Sequence, residues 1–292
     1  MYNLSKEELR EVQLKSLELF KYFKEVCEKE NLTTYFCGGC CIGTIRHKGF
    51  IPWDDDVDVF MPRDDYEKLV KIWDKYTMDG KYPIHRTGFD DGYEKNIFSV
   101  ITDRDTTFIK TERAIYDIDH GIALDVIPLD GAPESKFKQR IQTFWALVYS
   151  LYCANEAPVN HGKLVTAVGK IGLAIIPGKK LKMKVWKCAE RHMTKYKIKD
   201  SKYIRELCSG PRYMMNVFPK EIFDHAIYKE FEGEQMPIPV GYDEYLRIVF
   251  GDYMQMPPAD KQNPHHYVEY CDMHNGYEKY RGVYYYKNKG EN

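Results

Sequence analysis

The sequence of 292 residues lacks long apolar runs, and none approaches the roughly 20 residues that a transmembrane helix needs. The N-terminal stretch also lacks the apolar core of a secretory signal, since it reads MYNLSKEELREVQLK. We therefore expect the chain to remain in the cytoplasm. The chain also lacks an excess of charge of either sign, because its formal net charge is −1. This balance gives no overall attraction to nucleic acid, and we expect no nucleic-acid partner.

A disulfide framework is not expected either, because cysteines of a cytoplasmic protein stay reduced. The chain has eight cysteines. Cys37 and Cys40 have the spacing of half a zinc site, but no second CxxC and no spaced histidine pair follow. We interpret the cysteines as buried small apolar residues.

The stretch from Tyr35 to Arg63 combines glycines, basic residues and a run of acids, and it reads YFCGGCCIGTIRHKGFIPWDDDVDVFMPR. Side chains alternate between faces in an extended segment, so Asp54, Asp56 and Asp58 point the same way. Like charges this close repel and raise one another's pKa, so their site usually holds a cation or a proton. The pattern predicts a site for Mg²⁺, with Mn²⁺ as the alternative.

Phosphate-binding features surround these acids. Gly38 and Gly39 follow a short apolar segment, and glycines there let the backbone approach a bulky anion closely. Arg46 and Lys48 could hold phosphate oxygens, or they could complement the dipole at a helix C-terminus. Together with the acids, these residues indicate a metal-bound nucleotide diphosphate.

The stretch resembles the signature of the LicD family of phosphotransferases, within the nucleotidyltransferase-fold superfamily. The residues that carry the resemblance are Gly38, Gly39, Ile42, Gly43, the run Arg46 to Asp58, Arg63, Asp65 and Tyr66. Ile122 to Asp130 and Tyr242 to Pro258 are also similar to the family. One departure is Cys40, where the family usually has Ser or Thr, and a thiol donates only weakly to a phosphate.

The resemblance implies an α+β fold, with a nucleotidyltransferase-like mixed β-sheet core flanked by helices and a basic helical insertion. We assign residues 1–134 and 203–292 to the catalytic core and 135–202 to the insertion. The implied activity is metal-dependent transfer of phosphocholine from CDP-choline to a sugar hydroxyl of a teichoic acid, capsule or lipopolysaccharide precursor, with release of CMP. Alternatives are another CDP-alcohol donor carrying ribitol or glycerol phosphate, a nucleotidyltransferase acting on a small molecule, and a non-catalytic glycan- or nucleotide-binding scaffold.

Asp125 is a further candidate, because it lies between apolar neighbours in the predicted strand from Ile122 to Ile127. An unpaired buried acid is costly, so something must compensate its charge. By resemblance it matches the third carboxylate of the fold, as a metal ligand or as the base that takes the proton of the attacking hydroxyl. Arg104 is a second candidate phosphate contact that could equally pair with flanking acids. Trp53 is either a base-stacking platform or a core residue.

Local patterns predict several elements. The predicted helices are 5–29, in which Ser5 and Glu8 fit a capping box, 40–47, 62–76, 137–153, 164–176 and 242–250. The predicted strands are 57–60, 82–86, 97–101, 107–110, 122–127, 212–217, 226–231 and 235–240. Turns are predicted at Asp79-Gly80, at Asp91-Gly92 and at 128–131. His265 and His266 are interpreted as loop packing or hydrogen bonding.

Residues 161–202 differ in charge from the rest of the chain. Twelve Lys and Arg residues stand there against Glu190 and Asp200, which is a local charge of about +10. Such a run is either the solvated face of a helical insertion or a surface for an anionic membrane or a lipid-diphosphate acceptor. The second interpretation predicts peripheral membrane contact at the inner face of the membrane.

Overall fold

Helices and strands both contribute to the protein, whose computed structural model describes residues 4–88, 95–157, 163–264 and 266–287. Those ranges contain seven α-helices and eleven strands. The helices are α1 (Lys6–Lys29), α2 (Gly38–Arg46), α3 (Arg63–Ile72), α4 (Lys136–Ala154), α5 (Lys163–Ile175), α6 (Lys179–Met193) and α7 (Tyr242–Phe250). The strands are β1 (Tyr35–Phe36), β2 (Val57–Pro62), β3 (Ile84–His85), β4 (Ser99–Asp103), β5 (Thr107–Lys110), β6 (Ile122–Ala132), β7 (Tyr203–Glu206), β8 (Phe218–Pro219), β9 (Ala226–Phe231), β10 (Glu234–Pro239) and β11 (Val268–Asp272).

Seven strands form one mixed sheet at the centre of the protein. Its order is β1-β2-β6-β4-β3, and β7 extends it from β6 to β8. β2 and β6 run parallel, whereas the other pairs of this sheet are antiparallel. β9 with β10, and β5 with β11, form separate two-stranded sheets. The predicted α+β class with a mixed sheet is therefore confirmed.

The first helix packs on the sheet as its sequence predicts. Ser5 accepts a hydrogen bond from the Glu8 N–H, and the Glu8 carboxylate accepts one from the Ser5 N–H, which completes the predicted capping box. Leu19, Phe20 and Phe23 are fully buried on the face that meets β2 and β6. Asp58 and Asp125 alternate with buried apolar residues along β2 and β6, so these two acids point away from α1.

Two local predictions are wrong, and both failures have the same physical reason. Residues 128–131 do not form a turn, because β6 continues to Ala132 and pairs there with β7. Arg63 donates to both carboxylate oxygens of Asp130 at 2.9 and 2.8 Å and so stabilises a turn-forming residue inside a strand. The segment 212–217 forms a 3₁₀ turn at Tyr213–Met215 instead of a strand, because the Arg205 guanidinium donates to the Met214 carbonyl. In each case a side-chain contact from another element overrides local preference.

Most other predicted elements are present, with shifted ends. The helix predicted at 62–76 is α3 followed by a 3₁₀ turn at Trp73–Tyr76, and α2 begins at Gly38 rather than at residue 40. The turn at Asp79-Gly80 is present. Asp91-Gly92 and His265 lie outside the described residues.

A second apolar core lies among α4, α5 and α6. Its buried members include Tyr149, Trp186 and Met193, and it also takes in Leu207 and Cys208, which follow β7. The division of the chain at residues 134 and 202 stays a prediction. Within the described residues, no helix combines the length and the apolar character that crossing a bilayer requires.

Candidate functional site

Two carboxylates stand side by side at the parallel pair of strands. Asp58 of β2 is the register partner of Asp125 of β6. Paired residues of neighbouring strands point to the same face and lie about 5 Å apart, so these two acids share one surface. Both side chains remain partly exposed to solvent, which leaves them accessible to a ligand.

Two further acids approach the same place from the loop before β2. Asp54 is buried and hydrogen-bonds to Asp56, whose side chain is a quarter exposed at 25%. A Cβ atom added to Gly39 would lie 2.1 Å from Asp54 Oδ2. The glycine pair predicted to admit a phosphate therefore makes room, at Gly39, for a carboxylate of the protein itself.

The surroundings destabilise the ionised forms of Asp54, Asp58 and Asp125 and so raise their pKa values. Burial raises the pKa of Asp58 well above its ordinary range, and the charges of Asp56 and Asp125 raise it further. Burial and then the charges of Asp56 and Asp55 raise the pKa of Asp54 to about 8. Burial also raises the pKa of Asp125, while the charge of Lys110 lowers it. The site is thus poised to gain a proton or a cation.

Lys110 provides positive charge beside these acids. It ends β5, and its charge acts on both Asp58 and Asp125. Its Nζ lies 3.0 Å from Nε2 of His266, and an ammonium group has no acceptor, so the imidazole nitrogen accepts this bond. His266 Nδ1 must then carry the proton, which it donates to Asp55 Oδ1 at 3.0 Å.

Asp55, Asp56 and His266 form a possible metal centre, because one ligand atom of each lies within 4.8 Å of the others. His266 could bind a cation only by giving up Lys110 or Asp55, since both of its ring nitrogens already have partners. Asp56 is common to this group and to the predicted set with Asp58 and Asp125. The donors are mainly carboxylate oxygens, which fits Mg²⁺ or Mn²⁺.

A cavity of about 790 Å³ opens beside Asp125. Lys110, Arg113 and Arg104 line it, and Arg113 also acts electrostatically on Asp125. Arg104 donates to Asp119 at 3.0 Å, so the predicted pairing with an acid is present, although the partner is not one of its immediate neighbours. Tyr277 and Tyr285 belong to the lining as well, although both side chains are buried. The cavity wall is therefore mixed in charge, with basic and acidic side chains together next to Asp125.

Other predicted phosphate contacts have partners within the protein. Arg46 donates to the carbonyl oxygens of Tyr253 at 2.9 Å and Gln255 at 3.4 Å. Lys48 forms an exposed ion pair with Glu230 at 3.2 Å. These contacts hold the C-terminal end of α2 against β9 and against the loop that follows α7. The structure therefore does not bring Arg46 or Lys48 to the acids.

The remaining predicted contacts are also engaged. The Gly38 N–H, at a φ of +49°, donates to the hydroxyl of Tyr245 at 3.0 Å. Trp53 is half-buried and packs against the main core. The Cys40 thiol is buried and contacts the Asp56 carbonyl oxygen at 3.8 Å, so the residue that departs from the family pattern supports the acid loop.

Lys110, Arg113 and His266 are the candidate functional residues that sequence reasoning missed. Lys110 and His266 are 156 positions apart, and only the pairing of β5 with β11 brings them together. The one available signal was a cation at the end of a predicted strand, which is too common to be informative.

Comparison with known proteins identifies the family to which the chain is similar. Residues 31–123 match the family described as LicD/FKTN/FKRP, nucleotidyltransferase domain. The matched segment contains Asp54, Asp56 and Asp58 and ends at residue 123, just before Asp125. A lipopolysaccharide cholinephosphotransferase, LicD of Haemophilus influenzae, is 31% identical over 273 residues, which cover 89% of this chain and 97% of the relative.

A shorter match is to the uncharacterized protein RP689 of Rickettsia prowazekii, 30% identical over 83 residues that cover 26% of this chain and 31% of that protein. The relative that spans nearly the whole chain is a phosphotransferase, and this is the class that the comparisons define. The chain belongs to the LicD family, which confirms the resemblance in its sequence.

Proposed function

We propose that the protein transfers phosphocholine from CDP-choline to a sugar hydroxyl of a cell-surface glycan precursor and releases CMP. The observation that carries the proposal is the pairing of Asp58 with Asp125 on adjacent parallel strands, with Asp56 beside them. The cholinephosphotransferase activity in the name of the Haemophilus relative supports the choice of group. Lipopolysaccharide is the acceptor in that name, and teichoic acid and capsule precursors are the alternatives.

Asp56 and Asp58 are the proposed metal ligands, with Asp125 and Asp54 as further candidates. When bound, Mg²⁺ or Mn²⁺ supplies Lewis-acid stabilisation of the charge on the diphosphate oxygens. The raised pKa values of Asp54 and Asp58 support this role, because a bound cation relieves the repulsion that burial intensifies. Asp125 holds the same site from the neighbouring strand or takes the proton from the attacking hydroxyl.

The cationic cavity beside Asp125 is the proposed place of the donor. Lys110 and Arg113 are positioned to neutralise phosphate oxygens, and Arg104 lies further along the same wall. Tyr277 and Tyr285 also line this cavity, but both side chains are buried, so the residues that would hold the quaternary ammonium group are not assigned.

Gly38, Gly39, Arg46, Lys48 and Trp53 stay proposed substrate contacts. For Arg46 and Lys48 this requires exchange of their present partners for phosphate. The Gly38 N–H would likewise have to leave the Tyr245 hydroxyl.

In the proposed reaction, an oxygen of the acceptor attacks the phosphorus that carries choline, and the bond from this phosphorus to the bridging oxygen breaks. CMP leaves with that oxygen, and Asp125 or solvent receives the acceptor proton. Lys110 then faces the negative charge that develops on the leaving group. The reaction is proposed to take place in the cytoplasm.

Incubation with a panel of CDP-alcohols, Mg²⁺ and a glycan acceptor tests the donor. The proposal predicts CMP release with CDP-choline, above that with CDP-ribitol or CDP-glycerol. A preference for CDP-ribitol or CDP-glycerol would support the same reaction type with a different alcohol in the donor. No CMP from any donor would favour a non-catalytic scaffold.

A doubly labelled donor separates phospho-alcohol transfer from nucleotidyl transfer. With choline and cytidine labelled separately, the proposal predicts choline label on the acceptor and cytidine label in free CMP. Cytidine label on the acceptor would instead identify a nucleotidyltransferase and overturn the proposed reaction.

A further inference from the structure

The outer face of α5 is apolar and uncovered. Val168, Ile171 and Ile175 are 60%, 60% and 68% exposed. Their spacing of three and four residues places them along one side of a helix. Exposed apolar side chains that occur singly are normal, but an aligned set on one helix face marks an interaction site.

The opposite face of α5 is attached to the protein. The Tyr152 hydroxyl of α4 donates to the Gly172 carbonyl at 2.6 Å, and Leu173 packs against the second core. A Cβ atom added to Gly172 would lie 3.1 Å from the Leu151 side chain, so the two helices are in close contact. The orientation of α5 is therefore fixed with its apolar stripe turned outward.

The next helix presents a basic stripe at the same period. Lys180, Lys184, Lys187 and Arg191 of α6 are exposed and follow one another at intervals of four, three and four residues. Only Ile176, Pro177 and Gly178 separate the two helices, so the basic stripe begins within a few residues of Ile175. The two helices pack on α4 and make few contacts with each other, and we call these consecutive helices together the basic–apolar hairpin.

We propose that the basic–apolar hairpin binds the surface of an anionic lipid bilayer, with the α5 stripe at the boundary between headgroups and acyl chains and the α6 cations on lipid phosphates. Exposed apolar side chains followed closely in the chain by exposed basic residues have the composition of segments that lie in a membrane interface. Complementary charge favours this occupant, because anionic headgroups attract each basic residue near the surface. The inference does not rest on the proposed transfer reaction, since lipid binding needs neither donor nor acceptor.

Vesicle flotation of the full chain tests the proposal. We expect binding to phosphatidylcholine vesicles that contain about one third phosphatidylglycerol to exceed binding to pure phosphatidylcholine vesicles by about tenfold or more. The excess should fall steeply as salt is added, because exposed charges are screened. Equal binding to both vesicles, or none to either, would overturn the proposal.

Two variants separate the apolar and basic contributions. Ile171→Gln with Ile175→Gln should reduce the bound fraction on anionic vesicles by about tenfold. Lys180→Gln with Lys184→Gln and Lys187→Gln should do the same and weaken the salt dependence, which Arg191 and the neighbouring basic residues partly retain. All of these residues are exposed, so the far-UV circular dichroism and melting temperature should stay unchanged.

Matched controls change the same residue types elsewhere. Lys71→Gln with Lys75→Gln and Lys229→Gln removes three exposed charges, and Ile115→Gln with Val283→Gln removes two exposed apolar side chains. These controls should bind vesicles as the wild type does. Equal loss in control and hairpin variants would contradict a defined surface.

Light scattering without lipid examines a second copy of the chain as the occupant. Self-association that the Ile171→Gln, Ile175→Gln variant abolishes, together with no vesicle binding, would overturn the proposal in favour of a dimer interface. Transfer to a water-soluble acceptor should be unaffected in every hairpin variant. Failure of the membrane proposal therefore leaves the proposed reaction standing, and the reverse also holds.

Discussion

Like charges are gathered in two regions of this protein, in opposite ways. At the acid site, Asp54, Asp56 and Asp58 meet Asp125 in a partly buried place, and burial raises the pKa values of Asp54, Asp58 and Asp125. In the basic–apolar hairpin, Lys180, Lys184, Lys187 and Arg191 remain exposed. Buried like charges are unstable without a counter-ion, whereas exposed ones are solvated until an anionic surface approaches. The first arrangement supports the proposed cation site and the second the proposed membrane contact.

Removal of one acid at the paired strands should have the largest effect. Asp58→Asn should lower turnover by about 10³- to 10⁴-fold, because a lost metal ligand removes several kcal/mol of charge stabilisation. Asp56→Asn should behave similarly. The fold should survive, since the change relieves repulsion. Steady-state CMP release and circular dichroism measure the two outcomes.

The matched control is Asp64→Asn, an exposed acid at the start of α3, which should leave turnover within about threefold of the wild type. Retained turnover in both Asp56→Asn and Asp58→Asn would remove the metal assignment. Asp125→Asn should also lose most activity. Donor affinity survives that change if Asp125 acts as the base, and it falls if Asp125 is a ligand.

Breaking a buried ion pair should lower the free energy of unfolding far more than breaking an exposed ion pair that involves residues 161–202. Asp130→Ala leaves the Arg63 guanidinium, whose side chain is 7% exposed, without its main partner and should lower the free energy of unfolding by about 3 to 5 kcal/mol. Asp64→Ala removes an exposed partner of Lys197 and should cost less than about 1 kcal/mol. Urea unfolding of both variants provides the comparison. An equal loss of unfolding free energy in Asp130→Ala and Asp64→Ala would mean that burial does not determine the strength of these ion pairs.

Lys110 should matter for catalysis although it is not one of the acids. Lys110→Met should lower kcat/KM by about 10²-fold, because the charge that faces Asp58, Asp125 and the proposed donor phosphates is lost. Lys229→Met, on the exposed surface of β9, is the control and should have no such effect. Unchanged kcat/KM in Lys110→Met would remove Lys110 from the site.

The pH dependence of stability should report the smallest of these effects. The pKa of Asp54 is raised from 3.8 to about 8, so the folded protein binds the extra proton, and this group's contribution to stability falls as pH rises between those values. Asp54→Asn should therefore stabilise the metal-free protein by about 1 to 3 kcal/mol above pH 8, with little effect near pH 4. Urea unfolding with a chelator at both pH values measures it. A gain at pH 4 that equals the gain above pH 8 would contradict the proton linkage.

Local patterns were sufficient for part of this fold. The capping box at Ser5 and the strand that carries Asp58 follow from local sequence patterns, whereas Asp56 lies in the loop before that strand. That Asp125 meets Asp58 was implied by the family resemblance, and the β2–β6 register bears this out. The nature and number of the bound ions stay predictions.

Contacts between distant segments were beyond prediction from the sequence. Residues 128–131 have turn chemistry, but the bond from Arg63 to Asp130 and the pairing with β7 extend the strand through them. Lys110 reaches His266 only because β11 pairs with β5. The exposure of Val168 likewise depends on which face of α5 meets α4, and helical spacing alone leaves that open.

The most direct test of the account is an anomalous-scattering map from crystals soaked with Mn²⁺ and CDP-choline. The account predicts a manganese peak about 2.0 to 2.4 Å from oxygens of Asp56 and Asp58, in contact with the donor diphosphate. A peak held only by Asp55 and His266, or a donor bound away from Asp58 and Asp125 with no metal beside it, would contradict the account.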